Sequence, residues 1–265
     1  MKLGVIGCGK MGSALVGGII RSEICSPSDV TVYDTYEPAA AAMAAELGVT
    51  QVGSNAQVVE ASEVILLCIK PQSFPEMLTD LGEARDKLLI SIAAGIKIST
   101  IENATDLRHR VVRVMPNTPA MVGMGASAFA LGQDASRDDA ELTQSLLDSV
   151  GYACRVEEED LDAVTAVSGS GPAYIFLMIE ALIAGGMEQG LDAQTAKNLA
   201  VQTVAGAAEL VKSTGDSPTK LRENVTSPNG TTFAALEFFR EKNFEKIVKG
   251  AVDAAAKRSR ILGRD

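Results

Sequence analysis

The first twelve residues constrain this chain more than any other stretch. An apolar run, Lys2–Ile6, passes directly into Gly7-Cys-Gly-Lys-Met-Gly12, and a helical run opens near Ser13. A G-x-G-x-x-G pattern recurs by chance in many loops, but between a strand and a helix it has defined mechanics. Gly7 permits a tight turn, Gly9 lets a pyrophosphate come up to the backbone, and Gly12 lets the helix pack closely on the strand. Free N–H groups and the positive dipole end of the helix then face the phosphates. The stretch from Ile6 through Cys8, Lys10 and Met11 to Gly12 is therefore a candidate dinucleotide site. The next strand ends at Tyr33-Asp34. A carboxylate there usually accepts hydrogen bonds from adenine ribose hydroxyls and repels a 2′-phosphate. That leans the reading towards NADH, while Thr35 and nearby backbone groups leave NADPH open.

Further strands are expected at Val30–Tyr33, Val64–Ile69, Leu88–Ala93, Val111–Met115, Ala126–Leu131 and Tyr152–Val156, with helical stretches such as 14–22, 39–47 and 140–149 between them. Continuous apolar strands alternating with helices predict a Rossmann-like, doubly wound α/β sheet over residues 1–156. The later strands, with shorter connections, are expected to form an antiparallel edge. Ligands in such sheets sit beyond the carboxyl ends of strands. Two strand ends therefore join the candidate site: Cys68-Ile69-Lys70-Pro71, where Lys70 can reach a ribose, and Ala93-Ala94-Gly95, whose small turn leaves room for a nicotinamide.

After Val156 an acidic run, Glu157-Glu-Glu-Asp160, leads into a region with almost no strand signal. Helices are expected at 161–167, 173–188, 193–213, 218–224, 231–242 and 244–262. Small residues in Ala184-Gly-Gly186 and Val204-Ala-Gly-Ala-Ala208 allow close helix approach. Residues 157–265 thus read as an all-α substrate-binding and dimerisation domain.

Composition removes several classes of function. With 34 acidic against 24 basic residues, a formal charge of −10 and no dense basic run, nucleic-acid binding is excluded. A membrane role is not expected, because the most apolar stretch, 173–187, carries Glu180 and looks too short to span a bilayer. The opening Met-Lys-Leu-Gly-Val-Ile shows no targeting segment, and four scattered cysteines suit a reducing cytoplasm without disulfides or a metal site. His109 is the only histidine. Histidine-based nucleophilic machinery would have to use it, and its charged surroundings, Leu107-Arg-His-Arg-Val111, suggest an exposed strand-edge residue instead.

Two segments of the helical half are rich in glycine and hydroxyls: Ser168-Gly-Ser-Gly-Pro-Ala-Tyr174 and Val225-Thr-Ser-Pro-Asn-Gly-Thr-Thr232. The second runs straight into a helix, where it can receive a carboxylate or simply cap that helix. Taken with Gly7–Gly12, Ile69-Lys-Pro71, Ala93-Ala-Gly95 and Met115-Pro-Asn-Thr-Pro119, these motifs resemble the pyrroline-5-carboxylate reductase family in order along almost the whole chain. The resemblance implies NADPH- or NADH-dependent reduction of 1-pyrroline-5-carboxylate to L-proline. It also implies a homodimer formed through the helical domain, and assembly of dimers into a larger ring such as a decamer. It casts Gly230, Thr231 and Thr232 as the receptor of the substrate carboxylate and Thr232 as the catalytic hydroxyl at the ring nitrogen. Glu158 and Asn224 fall beside substrate and nicotinamide, and Asn55 on the adenine side of the cofactor. One departure is visible: Asn229 stands where the family commonly has glycine, a substitution that a left-handed turn tolerates.

Overall fold

The computed structural model describes residues 1–263; Arg264 and Asp265, the last two residues of the expected helical domain, lie outside the described residues. Eight strands form one sheet: β1 (Leu3–Ile6), β2 (Val30–Tyr33), β3 (Thr50–Gln51), β4 (Val64–Leu67), β5 (Leu88–Ser91), β6 (Arg110–Met115), β7 (Gly125–Leu131) and β8 (Gly151–Arg155). Their order is β3-β2-β1-β4-β5-β6-β7-β8, parallel from β3 to β6. The strand order reverses between β1 and β4, and that switch point is where a doubly wound sheet opens a crevice for ligands.

Period-two alternation along the strands feeds two cores. Leu3, Val5, Val32 and Leu66 pack with Leu15, Val16 and Ile19 of α1 (Lys10–Arg21) and with Leu146 and Leu147 of α6 (Arg137–Asp148). Ile6, Ile65, Leu67 and Leu89 point the other way, onto α3 (Asn55–Ala61), α4 (Phe74–Thr79) and α5 (Ile98–Ala104). The remaining helix on this half of the chain is α2 (Glu37–Leu47), closed by Gly48 in the left-handed region at φ 71°. Helices on both faces are the reason the central strands β1 and β4 carry no polar side chain.

The expected antiparallel edge forms only in part. β7 runs antiparallel to β6, but β8 pairs parallel to β7. The β7–β8 connection is not short: it holds the whole of α6, and a helical crossover returns the chain in the same direction. His109 is a second correction. Only 3% of it is exposed, at the entry to β6, and its Nδ1 accepts the backbone N–H of Lys87 at 3.3 Å. Arg108 and Arg110 on either side are half-buried and bond elsewhere, to the Gly82 carbonyl and to Asp139, so a charged flank concealed a buried residue.

Beyond β8 the helices are α7 (Leu161–Val164), α8 (Gly171–Glu188), α9 (Ala193–Thr214), α10 (Pro218–Asn224), α11 (Thr231–Glu241) and α12 (Phe244–Leu262). A π turn, Thr165–Gly169, follows α7, with Ser170 N–H bonding the Thr165 carbonyl at 2.7 Å. Helical turns run from Glu158 to Glu188, 31 residues, which by length and composition alone could cross a membrane. The expectation that this stretch is too short therefore fails, because helix extends well before Ala173.

By internal contacts the described residues divide into one unit of residues 1–170 with 255–263 and another of residues 171–254. Within the second unit only Ala196 and Ala200 are buried, and no residue of α8 is. Such a unit leaves Ile175, Phe176, Leu177, Phe238 and Ile247 exposed, more apolar surface than an isolated helical layer normally presents to water.

Candidate active site

The glycine loop is shaped by close approach of backbone to backbone. Gly7, at φ 100°, lies against strand β4: a Cβ there would stand 2.6 Å from the Cys68 carbonyl oxygen. A Cβ on Gly12 would stand 2.5 Å from the Gly7 carbonyl oxygen. Side chains at either position would push α1 away from the sheet. Gly9 is different, since nothing lies within 4 Å of where its Cβ would be. It is also the N-cap of α1, with no side chain bonded to the first-turn N–H groups. That leaves an open, donor-rich surface at the point where a pyrophosphate is expected, and the residues present fit a dinucleotide.

Asp34, at the carboxyl end of β2, is tied on both oxygens. Its Oδ2 accepts the Cys8 N–H at 2.7 Å and its Oδ1 accepts the Tyr36 N–H at 2.8 Å. Asn55, 6% exposed at the start of α3, donates from Nδ2 to Asp80 Oδ2 at 3.1 Å. A cleft of about 580 Å³ gathers Ile6, Gly7, Gly9, Asp34, Asn55, Cys68, Ile69 and Lys70 along one wall system at the switch point. Sequence reasoning missed its other polar lining, Tyr36, Ser73, Glu76 and Asp80. Ser73, Glu76 and Asp80, with Thr79, come from α4 and from the turns beside it, and only the strand order brings them near Asp34; Tyr36 stands two residues after Asp34, at the start of α2.

The other expected cofactor residues lie outside this cleft. Cys8, Lys10, Met11 and Gly12 form the loop and first turn of α1, Pro71 opens the turn after Lys70, and Ala93 and Ala94 lie in the turn after β5. Asn224 is the last residue of α10, in the other unit. Burial pushes the Cys8 thiol up to about 12, helped by the Asp34 charge; burial does the same for Cys68, helped by Cys8. Both thiols are neutral at physiological pH, so they add no negative charge beside the phosphate path.

Glu158 opens the helical half, and two groups hold its Oε1. The Ile98 N–H, at the start of α5, donates at 2.8 Å and Arg113 Nη1 donates at 2.9 Å. Glu158 thus ties the turn after β5 to the strand β6. Asn117, 8% exposed in the Met115–Pro119 segment, makes a second tie. Its Nδ2 donates to the Ser168 carbonyl at 3.0 Å and its Oδ1 accepts the Ala126 N–H at 2.9 Å. The Ser168 carbonyl belongs to the π turn, a helical irregularity often found at functional sites. Neither Arg113 nor the amide of Asn117 announces this role locally, because each partner is distant in sequence.

In the other unit, Asn229 adopts φ 59° and turns the chain into α11. Gly230 is the N-cap of α11 and, like Gly9, has no side-chain cap. Its N–H bonds the Ser227 carbonyl at 3.0 Å, and a Cβ on it would strike Ser227 Oγ at 2.3 Å. Thr231 and Thr232 begin the helix, so their N–H groups lead its positive end. Among the described residues, no group of three or more His, Cys, Asp or Glu could hold a metal ion.

A doubly wound sheet with a glycine-loop cleft at its switch point, followed by a helical region, defines a dinucleotide-dependent oxidoreductase. Residues 2–95 match the family described as NADP oxidoreductase, coenzyme F420-dependent, and residues 158–262 match pyrroline-5-carboxylate reductase dimerisation. A pyrroline-5-carboxylate reductase of Methanosarcina acetivorans is 42% identical over 265 residues, covering 99% of this chain and 98% of its own. A solved pyrroline-5-carboxylate reductase from Coxiella burnetii is 33% identical with a TM-score of 0.92, covering 98% of each chain. One from Plasmodium falciparum with NADP bound is 32% identical with a TM-score of 0.87, covering 99% and 98%. This chain belongs to the pyrroline-5-carboxylate reductase family.

Proposed function

We propose that this chain reduces 1-pyrroline-5-carboxylate to L-proline with NADH or NADPH, the last step of proline biosynthesis. The reading is carried by the cleft of Gly7, Gly9 and Asp34 at the switch point, in a chain that aligns with the family over its full length. The bound nicotinamide supplies a hydride to the carbon of the C=N bond. A protonated iminium is already electrophilic, so no strong general acid is needed, which suits a chain whose one histidine is buried at the start of β6. The nitrogen keeps its proton, the carbon gains the hydride, and the π pair of the C=N bond becomes the amine lone pair.

The chain's own tasks are holding and alignment. The glycine loop and the start of α1 hold the pyrophosphate, Asp34 and Asn55 the adenosine end, and Lys70, Ala93 and Ala94 the path towards the nicotinamide. Asn224 and Glu158 flank the nicotinamide and the substrate. The uncapped N–H groups led by Gly230, Thr231 and Thr232 receive the substrate carboxylate, and the Thr232 hydroxyl bonds the ring nitrogen. Residues 1–156 act as the dinucleotide-binding domain and residues 157–265 as the substrate-binding and dimerisation domain. A partner subunit covers the exposed apolar face of α8 and its neighbours, and dimers assemble further into a ring such as a decamer. The enzyme works as a soluble protein of the cytoplasm.

The test is loss of NADH or NADPH absorbance with purified protein and 1-pyrroline-5-carboxylate, with proline measured as product. Proline forming in step with cofactor oxidation supports the reading. Oxidation of neither cofactor, by protein that binds one of them, sends the search to another imine.

A further inference from the structure

The adenosine end of the cleft carries a charge pattern that the pyrophosphate site does not require. Its acidic lining is Asp34, Glu76 and Asp80, and Lys70 is the only basic residue among the described lining residues. From this arrangement we infer that the site selects NADH over NADPH, with Asp34 as the first barrier to a 2′-phosphate and Glu76 and Asp80 as a second acidic wall. The inference rests on the dinucleotide-dependent reduction proposed above and names the cofactor of that same site.

Three observations lead there. Asp34 is pinned, because both carboxylate oxygens already accept backbone N–H groups, from Cys8 and from Tyr36. It cannot rotate away to admit a phosphate without breaking one of those bonds. The same bonds occupy two backbone donors near the end of β2, those of Cys8 and Tyr36, which a 2′-phosphate would otherwise use. The residues that follow, Thr35-Tyr36-Glu37, offer a hydroxyl, a ring and another carboxylate, and no guanidinium or ammonium. Across the cleft, Asp80 is oriented by the amide of Asn55, so its charge has a fixed place. A ribose diol donates to carboxylates and suits this lining; a phosphate of about −2 charge meets like charge on two sides. Glu76 and Asp80 are exposed, so their contribution is screened by salt, whereas that of Asp34 is less so.

The experiment is fluorescence titration of NADH and NADPH with the full-length oligomer at low and high NaCl, followed by kcat/KM for each with 1-pyrroline-5-carboxylate. We expect NADH to bind about tenfold tighter or more at low salt, the gap narrowing as salt rises. Glu76→Gln and Asp80→Asn should each improve NADPH binding about two- to threefold and move NADH less. Asp34→Ser should remove most of the preference. Equal affinities, or tighter NADPH, in the parent protein overturn the inference, and a ratio unmoved by Glu76→Gln and Asp80→Asn overturns the second wall. Selective NADH binding without turnover upholds the cofactor inference while overturning the proposed reaction.

Discussion

Replacing Asn117 by alanine tests whether the tie between the Met115–Pro119 segment and the π turn holds this half of the chain together. The amide makes two bonds, to the Ser168 carbonyl at 3.0 Å and from the Ala126 N–H at 2.9 Å, across 51 and 9 residues. Alanine removes both and strands two partly buried backbone groups. Each stranded group costs about 1–3 kcal/mol, and partial access of water places the sum near 2–4 kcal/mol. For a unit of this size that lowers Tm by roughly 5–15 °C. Asn117→Asp refines the argument: it keeps the acceptor for Ala126 but turns an oxygen towards the Ser168 carbonyl, so it should cost at least as much. Thermal unfolding at one fixed protein concentration is the assay, because oligomerisation makes Tm concentration-dependent. A Tm for Asn117→Ala within about 1–2 °C of the parent would refute the reasoning, since such a loss corresponds to about 0.5 kcal/mol.

Thr232→Ala should lower kcat while leaving the dissociation constant of the cofactor nearly unchanged; steady-state kinetics with unaltered kcat and KM would remove Thr232 from the mechanism. Asn229 sits at φ 59°, so Asn229→Ala should destabilise the protein by about 1 kcal/mol and Asn229→Gly should not, as read by denaturant midpoints. Burial, then the nearby Arg108 charge, holds His109 down to about 4 from an ordinary value near 6.5. The unfolded chain binds this proton below pH 6.5 and the folded protein only near pH 4. Stability from neutral His109 is therefore complete above pH 6.5 and is lost as pH falls from 6.5 towards 4. The loss is on the order of 3 kcal/mol, and His109→Gln should flatten that slope in urea unfolding.

Strand positions were legible because burial on both faces demands apolar runs, and Val30–Tyr33 appears in the structure with the boundaries read from sequence. β3 was not legible: its two residues, Thr50 and Gln51, are exposed and leave no pattern. The helices after Val156 were legible because amphipathic and alanine-rich runs there are long and uninterrupted by strand signal. His109 was misread because neighbours in sequence report charge, whereas the two arginines beside it are themselves half-buried and satisfied by partners distant in sequence, Gly82 and Asp139. The glycine loop carried its own mechanics in its spacing. Glu76 and Asp80 carried none: they stand more than forty residues after Asp34, and no local rule connects them. Arg113 and Asn117 were hidden for the same reason, since each acts through a partner that only the folded topology supplies.

The helix starts are closed in different ways. Ser54, Ser136, Asp192 and Ser217 each bond a first-turn N–H of α3, α6, α9 or α10 through their side chains. A helix start closed in this way has spent its best donors on stability. α5 is closed from a distance, by Glu158. α2, α4 and α7 also lack a side-chain cap, on Tyr36, Ser73 and Asp160; α1 and α11 differ in that their N-caps are glycines, Gly9 and Gly230. Capping by serine or aspartate is worth about 1 kcal/mol, so leaving both starts open forgoes stability that four other helices take. A pyrophosphate and a carboxylate are the two anions this chemistry must hold, and each has one open helix start among the residues expected to bind it. Glycine at both N-caps agrees with the proposed binding of a pyrophosphate at one start and a carboxylate at the other.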